Sequence, residues 1–296
     1  MNRHLLVPLD GNPESETVLS EVQRCSGLRD DVHFLHVVPI LHSAPGDEAA
    51  QGIQLHQQAA DYLKVTRDRR LPNQRGLDLV RAGKPAEEIV KAALELNIHL
   101  IAMTSHGRKG FGRLLMGSVA SEVIRKSQLP VLLSRPGMGA SRGSYARILM
   151  ALEGHESPEA LLETLRSLGA HAPTEIILFH AVLPVADPVP AWALPGPLSL
   201  RSTPLARLQH LADTLEQEGY AAWPLVSTGN PVEEILEQSR HLDVDLVTLS
   251  TQGRNGWERL LEGSIAEAVL LRSPVAVLLQ KPLVVRHPAL AGGPHA

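Results

Sequence analysis

One pattern occurs twice in the sequence, at a constant interval. Thr104-Ser-His-Gly107 is followed after nine residues by Gly117-Ser118, and Ser250-Thr-Gln-Gly253 is followed after the same interval by Gly263-Ser264. The second copy lies 146 positions after the first, in a chain of 296 residues. A repeat this long corresponds to a whole domain, because the repeats of solenoids are only about 20 to 50 residues long. We therefore expect two similar domains.

Each copy of the pattern lies between an apolar run and a helical pattern. The runs Leu100–Met103 and Leu246–Leu249 predict buried strands, and helical spacing begins at Val119 and Ile265. Glycines let backbone N–H groups approach an anion closely, and a serine at the helix N-cap adds a hydroxyl where the helix dipole is positive. A simple turn followed by a helix cap is the alternative. The identical spacing of the two copies favours a phosphate site.

Strand-like and helical segments alternate along the first half of the chain. The strands are predicted at His4–Leu9, Val32–Val38, Leu77–Arg81, Leu100–Met103 and Val131–Ser134. The helices between them are predicted at Glu14–Cys25, Ala44–Arg70, from Pro85 to Leu96, and at Val119–Ser127. This alternation is typical of an α/β fold with a doubly wound parallel sheet of five strands.

The second half repeats the same order of elements. Arg147–Gly154 resembles His4–Gly11 in sequence, and a segment rich in Gly, Ser and Pro, Arg135–Ser144, separates the halves. We predict a first domain at 1–136, a linker at 137–144, a second domain at 145–282 and a loose tail at 283–296.

The last strands of the two halves are short and apolar. Val131–Leu133 and Val275–Leu279 would each lie at the edge of a sheet, where an unpaired strand tends to pair with another edge. We therefore predict that the halves associate as a pseudo-twofold dimer within one chain. A higher homo-oligomer is left open.

Composition excludes several classes of protein. The net charge of −4 offers no basic surface for nucleic acid, and no apolar run approaches the roughly 20 residues of a membrane span. The N-terminus shows no secretory leader pattern, so we expect a cytoplasmic protein without membrane or nucleic-acid partners. Cys25, the single cysteine, lies on an apolar helical stripe and is expected to be a packed thiol. No metal site is predicted, since His33 and His36 would face opposite sides of a strand.

With these motifs in place, the chain resembles a tandem member of the universal stress protein family. The resemblance covers His4 to Leu279, once in each half. It implies an adenine nucleotide alpha hydrolase-like fold and a site for ATP, with Mg²⁺, AMP or ADP as further candidates. The ATP-binding members carry the pattern Gly-x2-Gly-x9-Gly-Ser/Thr, whose first glycine is Thr104 or Ser250 here. A β-carbon at that position either crowds the ribose or is harmless where φ is negative.

The resemblance also implies which residues contact the nucleotide. In the first half these are Pro8, Leu9, Asp10, Val37, Thr104, Gly107, Arg108, Gly117, Ser118 and Val119. In the second half they are Ala151, Glu153, Ala181, Ser250, Gly253, Arg254, Gly263, Ser264 and Ile265. Asp10 has an alternative role as an ordinary turn residue before Gly11.

The two predicted loops differ in charge. The first contains the cations Arg108, Lys109 and Arg113, whereas Arg254 and Arg259 in the second are balanced by Glu258 and Glu262. Because a triphosphate is an anion, we expect the first half to bind ATP more tightly.

Three functions fit the sequence. The first is an adenine-nucleotide-binding stress-response regulator with no catalytic residue and at most slow ATP hydrolysis. The second is a phosphotransferase or another ATP-cleaving enzyme on the same fold, although the chain has no additional substrate domain. The third is a nucleotide-free scaffold whose two halves serve only to form a pseudo-dimer.

Overall fold

The alternating segments fold into ten strands and eight α-helices in the described part of the computed structural model. The structure describes residues 2–40, 47–105, 116–136, 143–153, 156–170, 174–184, 203–250 and 265–280. None of the helices in these ranges combines the length with the apolar composition that a membrane span needs.

The first half contains five strands and four helices among the described residues. They are β1 (His4–Pro8), α1 (Val18–Cys25), β2 (Asp31–Val38), α2 (Asp47–Arg70), β3 (Asp78–Ala82), α3 (Pro85–Glu95), β4 (Leu100–Thr104), α4 (Ser118–Lys126) and β5 (Val131–Ser134). The first predicted helix was placed too early, because Ser15–Thr17 form a separate 3₁₀ turn before α1. The fourth helix begins at Ser118, one residue before its predicted start.

The second half repeats this order in its described residues. Its elements are β6 (Arg147–Ala151), α5 (Pro158–Leu168), β7 (Glu175–Val182), α6 (Pro204–Gln217), β8 (Ala221–Thr228), α7 (Pro231–His241), β9 (Leu246–Ser250), α8 (Ile265–Arg272) and β10 (Ala276–Gln280). Proline occupies the first turn of α3, α5, α6 and α7, where its missing N–H has no intrahelical acceptor to lose. Side chains of Ser157, Thr203 and Asn230 accept hydrogen bonds from the first turns of α5, α6 and α7.

The strands of both halves form a single sheet. Its strand order is β3-β2-β1-β4-β5-β10-β9-β6-β7-β8, parallel within each half. The two halves meet where β5 pairs antiparallel with β10, with Leu133 opposite Val277 and Val131 opposite Leu279. The prediction that the last strands pair within the chain is therefore confirmed. Each half contributes five strands in the predicted doubly wound order. The second half runs through the equivalent strands in the reverse direction, so a pseudo-twofold axis relates the two halves.

Apolar side chains cover both faces of the sheet and continue across the junction. One buried cluster includes Val22 of α1, Leu63 of α2, Leu165 of α5 and Leu211 of α6. The other lies on the opposite face under α3, α4, α7 and α8. Few aromatic rings contribute, with Phe34 and Phe179 the largest fully buried side chains. Since each cluster draws on both halves, neither half has a fully separate core.

Polar contacts add to the junction between the halves. Arg24 of α1 lies 2.6 Å from Asp245, just before β9, and its guanidinium stacks on the ring of Tyr145. The Tyr145 hydroxyl donates a hydrogen bond of 2.9 Å to Glu21. Burial raises the pKa of Glu21, although the nearby Arg24 acts to lower it. These charges are largely withdrawn from water, so each depends on its partner.

A second contact across the junction involves the end of β5. Arg135 donates a hydrogen bond of 2.6 Å to the carbonyl of Leu271 and another to the carbonyl of Ser273. These carbonyls belong to the last turn of α8 and the residue after it, where a cation is favourable for the helix dipole. The end of the first half thus stabilises a helix of the second.

Candidate functional site

A cleft of about 350 Å³ lies at the carboxyl ends of the strands in the first half. The strand order reverses between β1 and β4, and the helices that follow them, α1 and α4, pack on opposite faces of the sheet. In open α/β sheets this switch point is where ligands bind. The cleft is therefore at the position where a parallel sheet of this order forms a binding crevice.

Eight of the ten residues predicted for this half line the cleft. They are Pro8, Leu9, Asp10, Val37, Thr104, Gly117, Ser118 and Val119. Gly107 and Arg108 lie outside the described residues, as do Lys109 and Arg113. Six further lining residues were not predicted, namely Ser15, Leu35, Pro85, Ile89, Met103 and Ala120. Pro85 and Ile89 come from α3, whose amphipathic pattern indicated packing and gave no sign of a cleft wall.

Asp10 has a fixed orientation at the mouth of the cleft. Its carboxylate accepts a hydrogen bond of 3.0 Å from the N–H of Asn12, and Gly11 between them adopts φ +82. This is the turn that the Asp-Gly pair predicted. The turn leads into Ser15, whose hydroxyl donates to the carbonyl of Asn12 at 2.7 Å. Asp10 is thus both a turn residue and a lining residue.

Thr104 replaces the first glycine of the family pattern without backbone strain. Among the described non-glycine residues only Asn97 and Asp243 have positive φ, so Thr104 has an ordinary strand backbone. Its hydroxyl lies 3.1 Å from the carbonyl of Ser15 and 3.2 Å from the hydroxyl of Ser134. The side chain thereby joins the turn after β1 to the end of β5. This backbone agrees with the second of the two outcomes considered above, in which a β-carbon at this position is harmless.

The N-terminus of α4 forms one wall of the cleft. Gly117 is the N-cap residue, with φ −61 and ψ 144, and it has no side chain to cap the helix. Ser118 is the first helical residue, so the expectation that this serine is the N-cap is wrong. The first amides of any α-helix have no intrahelical acceptor, and Ser118, Val119 and Ala120 all line the cleft. The wall can therefore donate hydrogen bonds to an anion.

In the second half, the described residues include only the strand ends and the helix start that would surround a corresponding site. Ala151 and Ser250 end β6 and β9, Ala181 lies near the end of β7, and Ile265 begins α8. The N–H of Glu153 donates to the Glu156 carboxylate at 2.8 Å. Gly253, Arg254, Gly263 and Ser264 lie outside the described residues. The second predicted site therefore stays a prediction.

Other reactive side chains in the described ranges do not form a site. No group of three or more His, Cys, Asp or Glu in those ranges is arranged to hold a metal ion. His33 contacts His4, whereas His36 packs edge-on against Tyr62, so the two histidines lie apart as expected. Cys25 is buried, and burial raises its pKa to about 12. Its thiol is therefore packed and unreactive.

Comparison with known proteins identifies the family. The sequence model of the universal stress protein family matches residues 1–135 and again residues 144–281. The chain belongs to the universal stress protein family. It is a tandem member, with one family unit in each half.

Relatives with the same two-unit length are known. A universal stress protein of Mycolicibacterium smegmatis is 22% identical over 294 residues, covering 94% of this chain and 97% of that protein. One from Mycobacterium tuberculosis is 28% identical over 216 residues, covering 67% of this chain and 70% of that protein. The crystal structure of a universal stress protein from Archaeoglobus fulgidus matches with a TM-score of 0.66 at 21% identity, covering 94% of this chain and 98% of that one. The last similarity shows the fold alone.

Proposed function

We propose that this universal stress protein binds an adenine nucleotide, ATP in the first instance, in the cleft of its first half. One observation carries the proposal. The cleft combines apolar lining from Leu35, Val37, Ile89 and Met103 with the N-terminus of α4, whose N-cap has no side chain. A flat apolar base and a polyanion need these two environments side by side. The volume of about 350 Å³ is within the usual range for small-molecule pockets.

The lining residues fit the parts of such a ligand. The apolar side chains suit the adenine ring, and the Asp10 carboxylate can accept hydrogen bonds from ribose hydroxyls. The amides of the first turn of α4, with the Ser118 hydroxyl, can donate to phosphate oxygens. A Mg²⁺ ion would depend mainly on the phosphates and water for its ligands, because such ions keep several waters. The role we propose is regulation by ligand occupancy, without a catalytic residue.

A charge change at one lining residue tests the proposal. Ser118→Asp places a carboxylate where the phosphates are proposed to bind, while an acidic residue in the first turn favours the helix itself. We expect this variant to lose ATP affinity at least tenfold by calorimetry and to keep its thermal stability. The matched neutral control, Ser118→Asn, should retain most of the affinity.

Three results would each reject a part of this function. Equal affinities of the Ser118→Asp variant and the native protein would remove the phosphate site from α4. An absence of any ATP, ADP or AMP binding to the native protein would favour the nucleotide-free scaffold. Stoichiometric phosphate release on the scale of seconds would identify an ATP-cleaving enzyme instead of a regulator.

A further inference from the structure

Three imidazoles stack at the amino ends of the strands in the first half, on the opposite edge from the cleft. His4 belongs to β1, His33 to β2, and His99 immediately precedes β4. The ring centroids of His4 and His33 are 5.4 Å apart, and those of His4 and His99 are 5.9 Å apart. His33 is buried, whereas His4 is partly exposed and His99 exposed. The rings are nearly parallel, with interplanar angles of 15° and 17°.

Hydrogen bonds join these imidazoles into a chain with one direction. The backbone N–H of Leu77 donates to Nδ1 of His33 at 3.3 Å, and the N–H of His4 donates to Nδ1 of His99 at 3.2 Å. A backbone N–H can only donate, so both Nδ1 atoms are acceptors. His33 then carries its proton on Nε2, which lies 3.1 Å from Nδ1 of His4 and donates to it.

The chain therefore uses the Nδ1 lone pair of every imidazole. It connects the residue before β3 with β2, β1 and the start of β4. Protonation of any of these Nδ1 atoms converts an acceptor into a donor that faces another donor. One hydrogen bond between neighbouring strands is lost each time, and in the case of His33 a charge is left in a buried position.

The second half makes the corresponding contacts without histidine. The strand register places His4 opposite Asp31 in one half and Arg147 opposite Glu175 in the other. Arg147 pairs with Glu175 at 2.5 Å. The Asp245 carboxylate accepts the N–H groups of Ala146 and Arg147, as His99 accepts that of His4. A carboxylate remains an acceptor down to about pH 4, so this half keeps its contacts where imidazoles protonate.

We propose that the His4–His33–His99 chain is an acid-sensitive latch. As the pH falls below about 6.5, its hydrogen bonds at the amino ends of the strands in the first half are lost, while the corresponding contacts of the second half persist. Such a device would make the molecule respond to mild acid in one half only. The proposal does not depend on nucleotide binding.

The charges around the chain determine the direction of this response. His33 faces His4 on β1, Asp31 on its own strand and Arg67 on α2. Asp31 also contacts Arg75 at 3.4 Å, and Arg67 pairs with Asp78 of β3 at 2.6 Å. Asp31 favours a protonated imidazole, and its Oδ2 lies 3.9 Å from Nδ1 of His4. Burial, His4 and Arg67 favour the neutral imidazole of His33, and together they outweigh the effect of Asp31.

The net effect is a lowered pKa of His33, caused first by burial and then by His4. A histidine whose folded pKa is depressed stabilises the fold as the neutral form. That stability is complete above the unfolded pKa of about 6.5 and is lost as the pH falls towards the folded pKa. Acid therefore lowers the stability of the first half.

Hydrogen exchange of the full-length protein at pH 7.5 and 5.5 tests the latch. Protection factors corrected for intrinsic exchange should fall severalfold in peptides covering β1 and the segment around Leu77, and about tenfold is the most that one histidine can contribute over this interval. Peptides covering β6 and the start of β9 should change less than about twofold. An equal loss in both halves, or none in the first, would overturn the proposal.

Two variants identify the histidines as the cause. His33→Ile introduces the residue found at the matching register position, Ile177, and should reduce the response in the peptides around Leu77 to below about twofold. His99→Asp introduces the acceptor used by the second half, and should preserve protection of the His4 amide at pH 5.5 even if the first variant folds poorly. His210→Asp makes the same charge change at an exposed helical site and should leave the response unchanged. A full response in His33→Ile, or a His99→Asp variant that behaves like His210→Asp, would contradict the latch.

Discussion

Residues at the cleft serve the fold and the proposed ligand site together. The Thr104 hydroxyl joins the turn after β1 to β5 by contacts with Ser15 and Ser134. A glycine at this position would leave the Ser134 hydroxyl without this contact. The departure from the family pattern therefore has a structural reason, and it leaves the cleft formed.

A substitution of Gly117 can separate the role of a cleft residue in the fold from its role in the proposed ligand site. Its φ of −61 and ψ of 144 are accessible to any residue, so Gly117→Val requires no strained backbone. The loss of a tolerated N-cap residue should cost about 1 kcal/mol of stability. A branched side chain at the cleft wall should block access to the first amides of α4. We expect ATP affinity to fall at least tenfold by calorimetry, with an unchanged helical circular dichroism signal. Unaltered affinity would show that phosphates bind elsewhere.

The repeated motif and the family resemblance predicted eight of the lining residues, and the residues that neither of them covers were missed. Gly117 and Ser118 were found because their spacing recurs in both halves. Ile89 and Met103 carry no such signal, since an apolar residue that lines a cleft has the same pattern as one in the core. The assignment of Ser118 as N-cap failed because glycine is also accepted at that position.

At the scale of elements, α1 and the start of β9 are held together by one charge pair. The side chain of Arg24 is only 4% exposed and lies 2.6 Å from Asp245. The same carboxylate also accepts two backbone N–H groups at the start of β6. Because Arg24 is largely buried, loss of Asp245 removes its shorter ion pair and leaves only the Glu21 carboxylate, 3.6 Å away, to compensate its charge.

We predict that Asp245→Ala lowers the free energy of unfolding by about 3 kcal/mol. Urea denaturation followed by circular dichroism measures this change. The matched control is Glu233→Ala, which removes the carboxylate of an exposed pair with Arg272 at 2.6 Å. That change should have a much smaller effect on stability, because the pair is exposed to solvent. Similar values for both variants would mean that the contact between α1 and β9 contributes little.

The elements themselves were largely predictable, whereas their ends were not. Mostly apolar segments between helical patterns located all five strands of the first half, and β5 agrees with its predicted range of Val131–Ser134. The 3₁₀ turn at Ser15–Thr17 was missed because the apolar helical spacing begins at Val18, and the polar residues before it were added to the same helix without a signal of their own. That turn is fixed by the hydrogen bond from Ser15 to Asn12 and by Thr104, contacts between residues that no local pattern shows.

At the scale of the whole molecule, the antiparallel pairing of β5 with β10 makes one half a partner for the other. Every residue of β5 is buried. Residues 1–140 expressed alone would expose this strand and the apolar side chains around it. We predict that this fragment forms a homodimer by light scattering, with two copies of β5 replacing the β5–β10 pair. A soluble monomer at micromolar concentration would show that the junction is not needed to cover the edge.

The sequence also predicts that the two proposed nucleotide sites are unequal. Between Thr104 and Ser118 the sequence carries Arg108, Lys109 and Arg113, a sum of +3, whereas between Ser250 and Ser264 two arginines and two glutamates cancel. Screened charges near a surface contribute around 1 kcal/mol each, so the difference corresponds to an affinity ratio of at least about tenfold. Pro8 and Asp10 in the first half are replaced by Ala151 and Glu153 in the second.

Calorimetry on two matched variants measures this inequality. Gly117→Val alters the N-terminus of α4, and Gly263→Val makes the same change just before α8. If the first half is the tighter ATP site, Gly117→Val should abolish the high-affinity phase, and Gly263→Val should leave it within about twofold of the native value. The reason is electrostatic, so the ratio should also shrink as salt is raised from 50 to 500 mM, on the order of severalfold. Equal losses in the two variants, or a ratio insensitive to salt, would mean that shape rather than charge determines affinity in both halves.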